Sequence, residues 1–411
     1  MTENMIEKPR VMLVSVDTGE YDTERSIAEL SELCDTARAE VAAVVTQKRP
    51  SYDGATCIGS GRLSEMADTC RDMEIDQVIF DCELTATQIR NIEEVINVHT
   101  IDRTMLILDI FAQRATTKEG KLQVELAQNR YRLPRLAGMG INLSRLGGGI
   151  GTRGPGETKL ETDKRHIRSR IGYLEAELKE ITARRENQRR RRKKDGVLTA
   201  AIVGYTNVGK STLLNALTDA GVLAENKLFA TLETTSRAIL LPDGRSVTLI
   251  DTVGLISRLP HHLVEAFKST LEEAANADVI LHIMDASSEY AETEKNVTEE
   301  LLHDLGCEGI PVVTVMNKCD LLPEGVSAPE NTVMISAKNK VGFDELLRAI
   351  SSALPETAKR MKLKIPFAQA GLIAKIREDG NVFSEEYEAD GIAVDALVDV
   401  KLIKACEDYE V

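Results

Sequence analysis

Short apolar runs alternate with longer amphipathic stretches over the first hundred residues of the chain. Short runs rich in β-branched residues are typical of strands buried in a parallel sheet. Apolar residues at three- and four-residue steps are typical of helices that pack on such a sheet. The pattern therefore predicts a small α/β domain over residues 1–112. We expect strands at 10–16, 41–46, 77–80 and 98–101, and helices at 23–39, 62–73 and 85–95.

A different pattern occupies residues 113–196, where leucine and isoleucine recur mostly every third or fourth position. One stripe contains Leu122, Leu126, Leu133 and Leu136, and the other contains Leu160, Ile167, Ile171, Leu174, Leu178 and Ile181. Two such stripes bury their apolar faces by packing together, which predicts an antiparallel helical pair. Between them, residues 137–158 hold eight glycines together with Arg145 and Arg153, and so predict a functional loop that is too long for a simple turn.

A glycine-rich loop lies between a strand expected at 197–203 and a helix expected at 211–217. Its residues are Gly204, Tyr205, Thr206, Asn207, Val208, Gly209, Lys210 and Ser211, which match G-x-x-x-x-G-K-[ST]. In this context, backbone N–H groups of the loop and the helix N-terminus bind phosphates. We expect Lys210 to contact the β- and γ-phosphates and the Ser211 hydroxyl to ligate Mg²⁺.

Three further motifs follow in the order that a guanine-nucleotide-binding domain requires. They are Asp251, Thr252, Val253 and Gly254; then Asn317, Lys318, Cys319 and Asp320; then Ser336, Ala337 and Lys338. We expect Asp251 to contact a water of the Mg²⁺ ion and the Gly254 N–H to reach the γ-phosphate. Asp320 can accept hydrogen bonds from the guanine N1–H and 2-amino groups, which adenine does not offer.

The remaining residues of these motifs have expected roles around the base. Asn317 ties the base to the phosphate loop, the Lys318 stem packs on the ring, and Ser336 and Ala337 offer N–H groups to the guanine carbonyl. All four motifs together predict a Mg²⁺-dependent GTP hydrolase with a Ras-like P-loop domain and a mostly parallel sheet over residues 197–360.

The segment between the phosphate loop and Asp251 is expected to hold the first switch, which closes over the γ-phosphate through a threonine. Its predicted nucleotide-contacting residues are Phe229, Ala230, Thr231, Leu232 and Glu233. Thr231, Thr234 and Thr235 compete for this role. We favour Thr231, as a second Mg²⁺ ligand, because it lies 20 residues after Ser211 and 20 before Asp251.

Leu255 follows the Asp-x-x-Gly motif at a position where many such enzymes place a glutamine that orients the attacking water. Leucine cannot make that hydrogen bond, so backbone groups or a partner must position the water. We therefore expect slow intrinsic hydrolysis that a partner stimulates. His261 and His262 are expected to be solvated residues rather than a catalytic base.

Charge is distributed unevenly along the chain, whose net charge is −15. Residues 113–196 carry 22 Lys and Arg against 10 Asp and Glu, whereas the rest of the chain has a net charge of −27. The basic residues are densest at 184–194, which is either a contact for a polyanion such as folded RNA or a solvated helix face. The acidic remainder argues against generic nucleic-acid binding, and we expect no DNA partner.

Other features bound the class of protein. The seven cysteines form no metal-binding spacing and are expected to be reduced. We expect no membrane span and no signal peptide, and so a cytoplasmic protein.

Asp17, Asp81 and Asp102 lie near ends of the N-terminal strands, where they either bind a ligand or cap helices. Residues 361–411 are expected to form a small α+β domain, and the oligomeric state is left open.

Several segments are similar to the HflX-type GTPases, a translation-factor-related group. The matching segments are 101–104 (IDRT), 108–115 (LDIFAQRA), 119–128 (EGKLQVELAQ), 147–158 (GGGIGTRGPGET), 160–163 (LETD) and 229–232 (FATL), in addition to the nucleotide motifs. The resemblance covers roughly residues 9–360. One departure is the sequence of residues 233–235, ETT, where many members have Asp-Pro-Thr.

The resemblance implies a GTPase that binds the large ribosomal subunit and splits ribosomes under stress. It implies that the helical pair and its glycine loop reach toward the peptidyl-transferase region, and that Thr231 is the magnesium threonine. Some members also bind ATP through the N-terminal domain. Two alternatives stay open, namely a ribosome-assembly GTPase and a nucleotide-dependent scaffold with negligible turnover.

Overall fold

The computed structural model describes residues 8–144, 159–194, 196–218, 228–229, 234–258, 260, 263, 271–323, 325–326 and 328–411. The chain divides into two compact units. The first comprises Met1–Arg185, Glu225–Glu233 and Val253–Thr270, and the second comprises Glu186–Ala224, Thr234–Thr252 and Leu271–Val411. No helix in the described part of the chain is long and apolar enough to cross a membrane.

The first unit contains a four-stranded parallel sheet in the order β2-β1-β3-β4. Its elements are β1 (Arg10–Asp17), α1 (Thr23–Thr36), β2 (Glu40–Lys48), α2 (Ser60–Asp72), β3 (Gln77–Phe80), α3 (Ala86–Ile96), β4 (His99–Asp102) and α4 (Arg103–Arg114). All four strands lie where the apolar runs predicted them. Helix α4 was not predicted, because it follows β4 without a turn. Asp102 ends the strand and caps the helix by accepting from the Met105 N–H at 3.0 Å.

Two long helices follow, α5 (Lys118–Ser144) and α6 (Lys159–Lys194). The first unit contains α5 and the residues of α6 up to Arg185. Leu122, Leu126 and Leu174 form the centre of their apolar contact. Glu119 pairs with Arg185, whereas Glu125, further along α5, pairs with Arg170, earlier in α6. The helices are therefore antiparallel, as the two leucine stripes predicted.

The glycine-rich loop begins later than expected. We predicted it over residues 137–158, but α5 continues through Ser144. Gly138 and Gly140 do not end the helix, because a glycine costs only about 1 kcal/mol in a helix interior. The remainder of the predicted loop, 145–158, lies outside the described residues.

The second unit contains a six-stranded sheet in the order β10-β9-β8-β5-β7-β6, in which only β6 runs antiparallel to its neighbour. Its elements are β5 (Leu198–Gly204), α7 (Lys210–Thr218), β6 (Thr235–Leu240), β7 (Ser246–Asp251), β8 (Val279–Asp285), α8 (Ala291–Asp304), β9 (Val312–Asn317), β10 (Thr332–Met334) and α9 (Phe343–Ala353). The carboxyl ends of β5, β7, β8 and β9 share one edge of the sheet, where α/β folds bind ligands. The predicted mostly parallel sheet is confirmed.

A three-stranded antiparallel sheet in the order β11-β13-β12 ends the second unit. Its elements are β11 (Ala358–Ile365), α10 (Gly371–Asp379), β12 (Asn381–Tyr387), β13 (Ile392–Asp399) and α11 (Val400–Cys406). Met361, Ile376 and Val394 belong to its own apolar core. This sheet contacts the β6–β7 turn, where Gly244 has φ +89° and a Cβ would lie 2.4 Å from the Phe383 ring. The multidomain α/β fold class is therefore as predicted.

Candidate nucleotide-binding site

The phosphate loop, residues 204–211, joins the end of β5 to the start of α7 at the centre of the six-stranded sheet. At Gly204, a Cβ would lie 2.2 Å from the Ile283 carbonyl oxygen. Gly209 has φ +96°, and a Cβ there would lie 2.3 Å from Asn317 Nδ2. Both positions require glycine, because the loop backbone approaches the ends of β8 and β9 too closely for any side chain.

The Lys210 ammonium lies inside this loop. Its Nζ donates to the carbonyl oxygens of Gly204 at 3.0 Å and Tyr205 at 2.7 Å. Burial lowers the pKa of Lys210 to about 8, although the Asp251 carboxylate opposes the shift. A cation of depressed pKa inside a loop of backbone N–H groups is suited to bind an anion, which would restore its charge.

The Ser211 hydroxyl and the Asp251 carboxylate are joined directly. Ser211 Oγ donates to Asp251 Oδ2 at 2.7 Å, and Asp251 is fully buried at the end of β7. The next residue, Thr252, is anchored because its Oγ1 donates to the Ile202 carbonyl at 2.8 Å. The structure therefore brings together the hydroxyl and carboxylate that the sequence assigned to the magnesium side.

One hydroxyl in the phosphate loop remains without a partner. Thr206 Oγ1 is buried and makes no hydrogen bond to any described residue. A buried polar atom without a partner costs free energy, so native proteins nearly always satisfy it. This orphaned hydroxyl indicates that the loop is shaped for an additional polar group.

Asn317, at the end of β9, connects two of the predicted motifs. Its Nδ2 donates to the Val208 carbonyl at 2.7 Å, and its Oδ1 accepts from the Ala337 N–H at 2.9 Å. Asp320 is exposed, and its Oδ1 accepts from Ser336 Oγ at 2.5 Å. Without a base, this carboxylate lies in an exposed turn beyond the strand. Its desolvation would require the base itself.

Lys318 makes a contact that the sequence did not predict. Its backbone has φ +62°, and its Nζ lies 2.7 Å from Asp285 Oδ2. Asp285 ends β8, the strand next to β9, so strand order brings the two together. The only sequence signal was the position of Asp285 directly after an apolar run. This ion pair fixes the direction of the lysine stem that is expected to lie on the base.

The predicted switch residues are described only in part. Phe229 has φ +53° and packs edge-on against Phe111, with ring centroids 4.7 Å apart. Val253 and Leu255, on either side of Gly254, are buried. Ala230, Thr231, Leu232, Glu233, His261 and His262 lie outside the described residues. The roles assigned to these residues therefore stay predictions.

The three N-terminal aspartates have different partners. Asp17 Oδ1 accepts from the Gly19 N–H at 3.0 Å within a turn, and Asp102 caps α4. Asp81, which follows β3, forms ion pairs with Arg103 and Arg258 at 3.0 Å each. Asp17 is thus a local turn residue, whereas Asp102 caps α4 and also lies 3.6 Å from Arg135 Nη2, and Asp81 binds two guanidinium groups.

The basic run at the end of α6 combines paired and exposed arginines. Arg185 pairs with Glu119 and Arg189 with Glu273, each at 2.7 Å. Arg190 lies 3.7 Å from Glu186, one turn earlier on the same helix. Arg191 is exposed. Part of the run therefore stabilises the fold, and a polyanion contact would use the exposed side chains.

Three family models match consecutive parts of the chain. Residues 24–112 match the model described as "GTP-binding GTPase N-terminal", and residues 114–192 match "GTP-binding GTPase Middle Region". Residues 199–318 match "50S ribosome-binding GTPase". The third match contains the phosphate loop and Asn317, so the predicted P-loop GTPase domain is confirmed.

Relatives named GTPase HflX match nearly the whole chain. The protein of Caldanaerobacter subterraneus subsp. tengcongensis is 50% identical over 100% of this chain and 95% of its own length. The Escherichia coli K12 protein is 39% identical over 91% of this chain and 89% of its own length. A GTP-binding protein of Sulfolobus solfataricus, solved with GDP, aligns with a TM-score of 0.45 and 24% identity over 84% of this chain and 98% of its own. The full-length relatives and the P-loop domain confirm the predicted resemblance and the predicted enzyme class, and the chain belongs to the HflX family of GTPases.

Proposed function

We propose that this protein is a Mg²⁺-dependent GTPase of the cytoplasm that binds the large ribosomal subunit and couples its GTP state to ribosome remodelling or splitting, under stress in particular. The observation that carries the nucleotide part is the double contact of Asn317 with Val208 and Ala337, because it joins the phosphate-binding and guanine-binding motifs into one site. The description of the model matched by residues 199–318 supports the ribosomal partner.

The described residues fit a magnesium ion and a triphosphate. Ser211 Oγ and Asp251 offer neighbouring oxygen atoms, which are the ligands that Mg²⁺ prefers. The orphaned Thr206 hydroxyl and the tight cradle at Gly209 fit phosphate oxygens that approach the loop closely. When bound, Mg²⁺ would neutralise charge on the β- and γ-phosphates.

The chain's own residues would then act as follows. Lys210 holds a positive charge toward the β- and γ-phosphates, and Ser211 orients its hydroxyl through Asp251. We assign Thr231 and the Gly254 N–H to the γ-phosphate. Asp320 reads guanine, and Ser336 already holds one oxygen of that carboxylate. Asn317 and Ala337 hold the guanine-binding residues in position relative to the phosphate loop.

The identity of residue 255 bears on how fast the protein alone hydrolyses GTP. The Leu255 side chain is buried and carries no hydrogen-bonding group, so it cannot orient the attacking water. A backbone group or the ribosome must therefore supply that contact, and we expect slow turnover by the protein alone. Leu255 also keeps open the alternative of a binding scaffold with negligible turnover.

Co-sedimentation with isolated large subunits tests the ribosomal partner. The protein is loaded with GDP or with a non-hydrolysable GTP analogue, and more of it should sediment with the analogue. Phosphate release is then measured with and without ribosomes. Stimulation supports the GTPase, and no stimulation supports the scaffold. Binding restricted to immature subunits would indicate an assembly factor, and no binding at low ionic strength would disprove the ribosomal partner.

A further inference from the structure

The first unit contains a buried ionic cluster outside the nucleotide motifs. Asp81 and Glu29 supply the carboxylates, and Arg103 lies between them. Asp81 is 1% exposed and Arg103 is 3% exposed. Because a buried carboxylate is unfavourable unless it is paired, a crevice lined by Asp81 favours a cationic ligand.

The position of the cluster in the sheet is that of a ligand site. Asp81 follows β3, its N–H donates to the Val14 carbonyl of β1 at 2.8 Å, and Ser15 Oγ donates to Asp81 Oδ2 at 3.2 Å. In the order β2-β1-β3-β4, the gap between the carboxyl ends of β1 and β3 is the point where the connections diverge to opposite sides. Open α/β sheets bind their ligands at this point.

Arg258, which lies four residues after Gly254, supplies a second guanidinium to the cluster. Its Nη1 donates to Asp81 Oδ2 at 3.0 Å and to Ser26 Oγ at 2.8 Å, and its Nη2 donates to the Asp81 carbonyl at 3.0 Å. The guanidinium also lies over the Tyr21 ring, 3.8 Å from the centroid. With Arg258 present, two guanidinium groups face two carboxylates.

The residue before Arg258 is held by the same cluster. Ser257 Oγ donates to Glu29 Oε2 at 2.6 Å, and the Ser257 carbonyl accepts from Arg103 Nη2 at 3.1 Å. Arg258 itself has φ +53°, a backbone conformation that arginine rarely adopts. These side-chain contacts therefore hold a locally unfavourable backbone conformation.

We propose that the crevice at the carboxyl end of the first sheet is a guanidinium-binding site whose ligand is the chain's own Arg258, and that this contact couples the N-terminal sheet to the segment that responds to the γ-phosphate. The proposal rests on the proposed function, which assigns the Gly254 N–H to the γ-phosphate. Gly254 and Arg258 belong to one short segment, so fixing one end of it alters the free energy of moving the other. By linkage, the γ-phosphate alters the affinity of the crevice for Arg258 by the same factor.

The test compares the full chain with Arg258→Ala, Arg258→Lys and a control, Arg360→Ala. Arg360 has the same kinds of partner in the C-terminal sheet, because its guanidinium binds Asp395 at 2.8 and 2.9 Å and lies over the Phe383 ring. Thermal unfolding first confirms that each variant is folded. Hydrogen exchange of the amides at residues 253–258 and the affinities for GDP and a non-hydrolysable GTP analogue are then measured.

In Arg258→Ala we expect faster exchange at residues 253–258 and a change of about fivefold or more in the ratio of the two nucleotide affinities. Arg258→Lys should be intermediate, because lysine keeps the charge but cannot make both contacts to Asp81. Arg360→Ala should match the wild type. If Arg258→Ala prefers the GTP analogue over GDP more strongly than the wild type does, the contact disfavours the triphosphate-bound conformation of the segment. If that preference is weaker, the contact stabilises the triphosphate-bound conformation.

Unchanged exchange in Arg258→Ala would show that the crevice does not hold the segment and would overturn the proposal. Faster exchange with an unchanged affinity ratio would overturn the coupling. If the wild-type chain bound neither nucleotide, the proposed function would fail instead, and the exchange data would still decide whether the crevice holds Arg258.

Discussion

Two residues of the nucleotide-binding site, Lys210 and Asp320, differ in how far they are buried. Lys210 is buried between two carbonyl groups, whereas Asp320 is exposed with one oxygen held by Ser336. Burial shifts the protonation equilibrium of the lysine, and exposure leaves the aspartate available to a base. The two residues therefore support different kinds of prediction, one on pH and one on specificity.

The affinity for GTP should fall as the pH rises through 8, because the buried Lys210 loses the proton that phosphate binding requires. Between pH 8 and 9 the affinity should weaken by up to about tenfold, the limit for one proton. Titration calorimetry from pH 7 to 9 measures this. Lys210→Ala should bind GTP weakly at every pH and lack the slope, and an equal slope in that variant would contradict the assignment.

Asp320→Asn should change the base preference. Asparagine cannot accept both guanine donors, but its amide can donate to the additional carbonyl of xanthine. The affinity for GTP should fall by roughly tenfold or more, since a hydrogen bond to a charged group contributes about 1.5–3 kcal/mol. Competition between GTP and xanthosine triphosphate measures this, with the exposed Asp304→Asn as control. Retained guanine preference in Asp320→Asn would rule out the base contact.

At the scale of elements, the sequence predicted what depends on local periodicity. The four strands of the first sheet, the strand before the phosphate loop, that loop and the two leucine stripes were all visible as patterns of apolar spacing or motif. Helix α4 escaped prediction because no turn residue separates it from β4. Contacts between distant side chains also escaped, because Arg258 and Asp81 are 177 residues apart and no periodicity connects them.

The β6–β7 turn shows how one side chain connects elements. Arg245 is buried and donates to the carbonyls of Ser351, in α9, at 2.6 Å and Pro355 at 2.7 Å. It also pairs with Asp243 in the same turn. Since α9 is followed by β11, Arg245 connects the turn to the chain that enters the C-terminal sheet.

Arg245→Ala should destabilise the second unit, because two carbonyl groups and a carboxylate lose their donor. We expect the free energy of unfolding to fall by about 1–3 kcal/mol. Urea titration followed by circular dichroism measures the midpoint, and Arg237→Ala, an exposed position on β6, is the matched control. A difference between the two variants below about 0.5 kcal/mol would show that the Arg245 contacts contribute nothing.

At the scale of the whole molecule, an acidic chain contains a basic helical segment. The segment 113–196 has a net charge of +12 within a total of −15. Arg189 pairs with Glu273, which lies outside the segment and is not counted in this net charge. The net charge of the segment therefore overstates the number of cations that a polyanion could contact.

Replacing Arg191 and Arg192 together with glutamine should weaken binding to large ribosomal subunits and flatten its salt dependence. Each lost phosphate contact reduces the slope of log K against log salt by about 1. Sedimentation between 50 and 200 mM salt measures the slope, a range over which such contacts are sensitive. Arg71→Gln with Arg360→Gln removes two arginines elsewhere and should leave the slope unchanged. An unaltered slope in the Arg191 and Arg192 variant would remove these residues from the interface.

The double contact of Asn317 has a consequence for nucleotide fragments. Because one amide group supports both the loop at Val208 and the segment at Ala337, neither half of the site can be disturbed alone. Guanosine and pyrophosphate added together should each bind better than when added singly, and Asn317→Ala should abolish that cooperation even where residual binding survives. A GTPase built in this way recognises the distance between the base and the phosphates of its ligand as well as the two groups themselves.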